Sequence, residues 1–200
     1  EVNCNIKYFS PIGRLFLGLR GPMNVHKATQ TVAVFRQDKG NILMIYVRSK
    51  NVTDKLIERF KQLIAFGVSL VWKNEKAKKL VVLYEKNSSK YEESASVLYE
   101  ELMDEGYKNA YFIVDKNYEF IDRIPEKYRK NIVYKYSFRH YLYFFTTKTF
   151  IGTEAIAHAF DLKTCNPLPL YKMTRKNINY VFLQHGVMYM VSLDSESRKM

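Results

Sequence analysis

The hydrophobic pattern of the first part of the chain predicts a β-hairpin followed by a helix. Two runs rich in β-branched and aromatic residues, 31–36 and 41–47, flank an Asp-Lys-Gly turn, which is typical of a hairpin. From Thr53 the apolar residues follow helical spacing. The pattern predicts an amphipathic helix that ends near Gly67, and then a strand over residues 68–72.

In the second part, after a lysine-rich run at residues 73–79, short apolar runs alternate with amphipathic stretches. The apolar runs predict buried strands over residues 80–84, 110–114, 131–136, 149–152 and 180–183. Strands and helices in this order predict an α/β fold with a doubly wound sheet and right-handed crossovers.

Two amphipathic stretches between these strands predict helices. The first has a capping box of Ser89 and Glu92 at its start and Gly106 at its end, as helix termini often do. The second is rich in aromatic residues and covers residues 138–147. The two prolines within residues 167–169 predict a loop before the last strand.

Composition indicates a globular chain. Its 200 residues, 47% of them hydrophobic, suffice for one large domain or two small ones. The longest apolar runs, 42–47 and 142–145, are far shorter than the roughly 18 residues that span a bilayer, and the run at 15–19 is too short for a signal peptide. Cys4 and Cys165 form no CxxC pair. We therefore expect reduced thiols and a cytoplasmic protein.

Positive charge is concentrated in the first part of the chain. Residues 1–79 carry 15 Lys and Arg against 5 Asp and Glu, a net of +10 out of +12 for the whole chain. Such a surface attracts nucleic acid, an anionic membrane leaflet or a phosphate-rich polymer, and charge alone does not choose among them. A nucleic-acid or polyanion-binding module is therefore one hypothesis for the function.

The last predicted strand runs directly into Gln184, His185 and Gly186. In open α/β sheets, ligands lie beyond the carboxyl ends of the strands, so His185 is predicted to project into a crevice. Gly186 permits a sharp turn there. An imidazole can accept the proton of an attacking hydroxyl, which makes His185 the candidate general base. A hydrogen-bonded structural histidine is the alternative interpretation.

The loop after the first strand of the second part is a candidate phosphate site. Free backbone N–H groups and the helix dipole at such a turn favour an anion, and Ser88, Ser89, Lys90 and Tyr91 supply donors. Ordinary N-capping explains Ser89 equally well. The loop lacks the glycines of a Rossmann fingerprint or a P-loop, so neither a dinucleotide site nor a P-loop NTPase is predicted.

Glu154 is the acidic residue best placed at the end of another strand. It is a candidate for orienting His185 or for binding a hydroxyl, although a glutamate in the first turn of a helix is the commoner explanation. The four histidines share no metal-ligand spacing, and the chain has no Asp-x-Asp pair. We therefore predict neither a metal nor a cofactor.

Two motifs resemble the CDP-glycerol glycerophosphotransferase family of teichoic acid synthesis. They are Tyr-Val-Phe-Leu-Gln-His-Gly-Val at residues 180–187 and Leu-Tyr-Glu-Glu-Leu at residues 98–102. In that family a His-Gly pair follows an apolar strand, and an upstream motif resembles I-Y-E-x-L. The resemblance covers roughly residues 80–190. The sequence departs at residues 183–184, where many members carry Thr-Trp, and at 94–95, where Asn-Pro is common.

This resemblance implies a GT-B-type transferase with two Rossmann-like halves. Residues 79–200 would form the N-terminal, acceptor-side half, preceded by a small basic β-rich α+β subdomain at 1–78, a hairpin plus helix. The donor-binding C-terminal half would be missing, so we expect this chain to be inactive alone. A sugar transferase of GT-B fold is a further alternative.

The resemblance also implies the reaction and its location. Glycerol phosphate or ribitol phosphate would move from a CDP-alditol donor to a lipid-linked polyol-phosphate acceptor, as in cell-wall biogenesis. His185 would be the general base, and the acceptor side would include Ser88, Ser89, Lys90, Tyr91, Glu154, Gln184 and Gly186. Members of the family act at the cytoplasmic face of the membrane, so the expected partner of the basic surface is an anionic membrane and not nucleic acid.

Overall fold

The structure, a computed structural model, describes the backbone of residues 2–5, 23–26, 31–37 and 42–49, and then residues 51–72, 77, 79–161, 164, 166–173 and 177–184. Side chains are described from residue 51 onward, apart from those of residues 167 and 170. His185 and Gly186 lie outside the described residues, as does the turn of the predicted hairpin. The proposed division of the chain at residue 78 stays a prediction.

The N-terminal strands form one antiparallel sheet. They are β1 (Val2–Asn5), β2 (Met23–His26), β3 (Thr31–Gln37) and β4 (Ile42–Ser49), in the order β1-β4-β3-β2. Strands β3 and β4 pair with Thr31 opposite Ser49. The predicted pair of antiparallel strands is therefore confirmed.

A long helix, α1 (Leu56–Val71), follows a short 3₁₀ turn at Val52–Asp54. The prediction that it ends at Gly67 and that residues 68–72 form a strand is wrong. A glycine inside a helix costs only about 1 kcal/mol, and the apolar residues beyond Gly67 continue the helical stripe. Helical spacing therefore outweighs the local strand pattern.

Five parallel strands form the second sheet. They are β5 (Val81–Tyr84), β6 (Ala110–Val114), β7 (Ile132–Tyr134), β8 (Thr149–Gly152) and β9 (Asn179–Phe182), in the order β7-β6-β5-β8-β9. Strand β5 lies in the centre of the sheet. Strands β6 and β7 follow on one side of it, and β8 and β9 lie on the other side. This is the winding of a Rossmann-like α/β fold, and it confirms the predicted fold class.

In the part of the chain that the structure describes, four helices accompany this sheet: α2 (Ser94–Asp104), α3 (Glu126–Arg129), α4 (Phe138–Thr146) and α5 (Pro167–Met173). Helix α4 confirms the prediction of an aromatic-rich helix over residues 138–147. Helix α2 ends as predicted at Gly106, which has a φ of 83°, and the Tyr107 N–H bonds the Leu102 carbonyl beyond it. Helix α5 replaces the predicted loop, because proline is compatible with the first turn of a helix.

Aromatic side chains fill the core on both faces of the sheet. Tyr84, Phe144 and Phe150 belong to one buried cluster, and Leu83 and Phe112 belong to the other. Successive strand residues point to opposite faces, so the neighbours Leu83 and Tyr84 contribute to different clusters. Strand β5 is therefore buried on both sides, as its continuous apolar run predicts.

Strand β9 was predicted to be buried, and that prediction is wrong. In the described part of the chain it pairs with β8 alone, at the edge of the sheet. Its residues Tyr180, Val181 and Phe182 are all exposed. An apolar run predicts that a strand forms, whereas the topology decides whether that strand is central or at an edge.

Candidate functional site

The candidate site lies at the carboxyl ends of β5 and β8. These two strands are parallel neighbours, with Tyr84 opposite Gly152, and the connections that follow them lead to opposite sides of the sheet. Ligands of open α/β sheets bind at such a switch point, beyond the carboxyl ends of the strands.

The loop that leaves β5 has an unusual backbone. Lys86, Asn87 and Ser88 have φ angles of 37°, 61° and 55°, in the left-handed region that side chains other than glycine avoid. Each such residue costs on the order of 1–3 kcal/mol, and strain of this kind is concentrated at functional sites. The sequence pattern did not reveal this conformation. Asn87, which tolerates it better than most residues, was the available signal.

Side chains from two other strand ends hold this left-handed loop. The Asn87 N–H donates to Oε2 of Glu154 at 2.7 Å, and the Ser88 hydroxyl donates to the His158 carbonyl at 2.8 Å. Lys135, directly after β7, donates through Nζ to the Asn87 carbonyl. The loop is therefore fixed from the ends of β7 and β8.

Glu154 is itself held by two tyrosines from neighbouring strands. The Tyr84 hydroxyl donates to its carbonyl at 2.8 Å, and the Tyr180 hydroxyl donates to the same oxygen. The Tyr84 ring lies over Gly152, where an added Cβ would stand 2.5 Å from the ring. Burial, followed by the contact with Tyr180, raises the pKa of Tyr84, so its hydroxyl remains a neutral donor.

The His158 ring contacts the carboxylate of Glu154. Its Nδ1 lies 2.7 Å from Oε2 of Glu154, but the geometry is not aligned for a hydrogen bond. Sequence reasoning predicts no role for His158, whose spacing from the other histidines does not suit a metal site. Its i,i+4 spacing from Glu154 was the signal that could have paired them. The predicted contact between Glu154 and His185 lies outside the described residues.

The predicted acceptor residues after Asn87 separate into two groups. Ser88 is buried beside His158. The other three have their main polar contacts elsewhere. Ser89 donates to the Lys86 carbonyl, Lys90 pairs with Glu92 at 3.3 Å, and the Tyr91 hydroxyl donates to Glu100 at 2.9 Å.

The backbone N–H groups before α2 are already occupied by a protein carboxylate. Glu85 is fully buried; its Oε2 accepts the N–H groups of Glu92 and Glu93 at 2.8 and 2.9 Å, and its Oε1 accepts that of Ser96 at 2.7 Å. The predicted capping box of Ser89 and Glu92 is therefore wrong, since Glu93 is the N-cap residue. Glu85 supplies the negative charge that we expected a phosphate to supply.

Gln184 connects the exit of β9 to α2. Its carbonyl accepts a hydrogen bond from the Ser94 hydroxyl at 3.1 Å, and Ser94 is the first residue of α2. The predicted base His185 and its neighbour Gly186 follow Gln184 directly in the sequence. Their assignments stay predictions.

Lys135 is a half-buried cation at the site. Burial lowers the pKa of its ammonium group, while the carboxylates of Asp161, Asp115 and Glu154 raise it to a smaller extent. Within the described ranges, no group of three His, Cys, Asp or Glu side chains is arranged to hold a metal ion. No helix in that part of the chain is long and apolar enough to cross a membrane.

A protein-family model described as CDP-glycerol:poly(glycerophosphate) glycerophosphotransferase matches residues 67–199. The match covers more than half of the 200 residues and includes all five parallel strands, the switch point and the His-Gly pair. Strands β1 to β4 lie outside it. No curated protein and no solved structure matches the chain significantly.

Proposed function

The chain belongs to the CDP-glycerol:poly(glycerophosphate) glycerophosphotransferase family, and from this premise we propose that it is the acceptor-side part of an alditol-phosphate transferase. The donor is CDP-glycerol or CDP-ribitol, and the acceptor is a lipid-linked polyol phosphate. The observation that carries the proposal is the switch point, where polar groups from the ends of β5, β7 and β8 meet.

In this reaction a terminal hydroxyl of the acceptor attacks the alditol-bearing phosphorus of the donor. A new P–O bond forms, the bond to the CMP oxygen breaks, and CMP leaves with that electron pair. A base must take the hydroxyl proton. We assign this role to His185, because it directly follows Gln184, whose carbonyl is bonded to the start of α2. The donor binds mainly to a second half of the complete enzyme, in a GT-B arrangement.

The test is a transfer assay on the complete enzyme with labelled CDP-glycerol and CDP-ribitol and a poly(glycerol phosphate) acceptor. The proposal predicts label in the polymer from at least one of the two donors, together with release of CMP. Transfer from a UDP-sugar instead, with neither CDP-alditol used, would favour a sugar transferase of the same fold and contradict the proposal.

We also propose that the protein lies at the cytoplasmic face of the membrane, on the basis of helix α1. Its outward stripe consists of large apolar residues: Leu56, Ile57, Phe60, Leu63, Ile64, Val68 and Val71. Leu56 and Val71 are 83% and 80% exposed, and Phe60 is 58% exposed. Contiguous apolar surface of this extent on a protein marks an interaction site.

The inward side of α1 is polar, which is the reverse of an ordinary surface helix. Buried Glu58 accepts a hydrogen bond from Tyr141 in α4 at 2.8 Å, and buried Gln62 accepts one from Asn166. The packing of α1 on the domain therefore depends on these polar contacts, on buried Ala65 and on Phe66, whose ring packs edge-on against Phe145 at 5.4 Å. Its apolar side is left for another partner.

Cations border the apolar stripe of α1 on both sides. Helical geometry places Arg59 at one edge and Lys61 at the other, and the sequence that follows the helix contains four lysines at residues 73–79. An apolar face flanked by cations suits the interface of an anionic bilayer, where each basic residue contributes about 1 kcal/mol. We therefore assign the stripe to a membrane surface and not to nucleic acid.

Liposome sedimentation tests this assignment. A Phe60→Ser/Ile64→Ser variant should bind vesicles containing phosphatidylglycerol at least tenfold more weakly, since each buried apolar side chain is worth about 1.5–3 kcal/mol. Its melting temperature should not change. Val97→Ser, at an exposed apolar residue of α2, is the matched control. A large fall in melting temperature of the double variant, or tight salt-dependent binding of RNA with no vesicle binding, would contradict the assignment.

A further inference from the structure

Two basic residues meet the left-handed loop from different strand ends, Lys135 through its side chain and His158 through its backbone. Lys135, after β7, bonds the Asn87 carbonyl, and His158, after β8, carries the carbonyl that accepts the Ser88 hydroxyl. Glu154 completes the group, since its Oε2 contacts both the Asn87 N–H and the His158 ring. The group therefore combines two basic side chains with one carboxylate at the switch point between β5 and β8.

The hydrogen-bonding capacity of these basic groups is only partly used. In the described part of the chain, no carboxylate lies within 4.0 Å of Lys135 Nζ, and the ammonium group gives one of its three protons to Asn87. For His158, the described contact of the ring is through Nδ1. Its Nε2 has no hydrogen-bond partner among the described residues.

We propose that Lys135 and His158 form a binding subsite for a phosphodiester oxygen of the acceptor, next to the hydroxyl that reacts. This inference rests on the proposed function, which makes the acceptor a polyol phosphate. Charge-assisted hydrogen bonds from ammonium and imidazolium groups are well suited to phosphate oxygens, and with Nδ1 beside Glu154 the Nε2 atom donates in the imidazolium form. Glu154 acts as a positioning residue, because it holds the His158 ring against the loop.

The arrangement of the neighbouring carboxylates favours side-chain recognition of the anion. Glu85 occupies the N–H groups at the start of α2, so that helix terminus does not offer them to a phosphate. Oε2 of Glu154 already contacts the Asn87 N–H and the His158 ring. An arriving phosphate is therefore expected to depend on Lys135 Nζ and His158 Nε2.

The experiment compares two acceptors with the complete enzyme. One is an oligo(glycerol phosphate), and the other is an alcohol of similar length without phosphate. We expect His158→Gln and Lys135→Gln each to raise KM for the phosphate acceptor about tenfold or more, with less than a threefold change in kcat. KM for the CDP-alditol and for the neutral acceptor should not change. Lys127→Gln, which removes an exposed lysine paired with Asp104, is the matched control.

Lys135→Arg preserves the charge and should keep KM for the phosphate acceptor within threefold of the unmodified enzyme, which separates charge recognition from a folding defect. Equal effects on both acceptors, or unchanged KM in both Gln variants, would overturn the inference while the proposed function stands. Calorimetric titration of oligo(glycerol phosphate) provides a test that needs no turnover. Weaker binding by the two Gln variants supports the subsite even if no CDP-alditol is used, and binding equal to that of the control overturns it.

Discussion

The backbone N–H of Asn87 donates to the carboxylate of Glu154 across the boundary between β5 and β8, at 2.7 Å. This bond joins the strained loop of one strand to the end of the next, and the same carboxylate contacts His158. The Glu154 side chain is therefore one of three attachments of the loop, beside the Ser88–His158 bond and Lys135.

We expect Glu154→Ala to lower the free energy of unfolding by about 1–2 kcal/mol, since a hydrogen bond to a charged group contributes about 1.5–3 kcal/mol and this one is partly exposed. Urea unfolding measures the change. Glu119→Ala, at an exposed residue, should stay within about 0.5 kcal/mol. Equal stabilities of the two variants would show that the bond does not hold the loop.

Two glycines give a matched pair of substitutions with opposite expected signs. Gly152→Ala would place a Cβ 2.5 Å from the Tyr84 ring, and overpacking of this kind costs about 1–3 kcal/mol. Gly67→Ala adds a Cβ with nothing within 4 Å inside a helix, and should stabilise by about 0.5–1 kcal/mol. Thermal unfolding of both variants checks the signs, and a stabilised Gly152→Ala would contradict the packing of Tyr84 over this strand.

Replacing Glu85 should be more costly than replacing Glu154. Glu85→Ala leaves three backbone N–H groups without their acceptor in a buried place, and we expect a loss of about 3 kcal/mol or more. Glu85→Gln keeps one acceptor oxygen and should lose less. Denaturant unfolding, with Glu105→Ala at an exposed residue as the control, measures the difference. A small loss for Glu85→Ala would mean that water replaces the carboxylate.

His140 should make stability depend on pH. Burial lowers its pKa to about 4 from 6.5, Nε2 lies 2.8 Å from the Ala159 carbonyl, and Nδ1 accepts the Tyr136 N–H. Between these two pKa values the unfolded chain binds a proton that the folded protein does not. Stability should therefore fall by about 3 kcal/mol as the pH falls from 6.5 to 4.

Urea unfolding at several pH values measures this dependence. The His140→Gln variant should be less stable at neutral pH. Its free energy of unfolding should also change less between pH 6.5 and 4, because the contribution of His140 is removed. An unchanged slope in this variant would assign the pH dependence to other groups.

Much of the sheet could be predicted from the sequence, because β5 to β8 are short apolar runs and most of their residues are buried. The end of α1 and the burial of β9 could not. Residues 68–72 suit a strand or the last helical turn equally well, and an apolar run such as residues 180–183 does not reveal whether it has one neighbour or two. The topology decides both cases.

The candidate site was predictable as a location but not as a set of contacts. The rule that ligands bind beyond strand ends pointed to the loop after β5 and to Glu154, which lie in contact, and their role in binding stays a prediction. The pairing of Glu154 with Asn87 and His158, and the occupation of the α2 start by Glu85, depend on residues that are distant in sequence or on the exact path of the loop. Hydrophobic periodicity carries no information about such contacts.

The most direct test of the proposed transfer mechanism is the rate of glycerol phosphate or ribitol phosphate transfer by the complete enzyme carrying His185→Ala. The account predicts less than about a tenth of the unmodified rate, since a positioned base contributes about 10²- to 10⁴-fold, with an unchanged melting temperature. A variant that folds normally and keeps most of its transfer rate would contradict the assignment of His185 as the base.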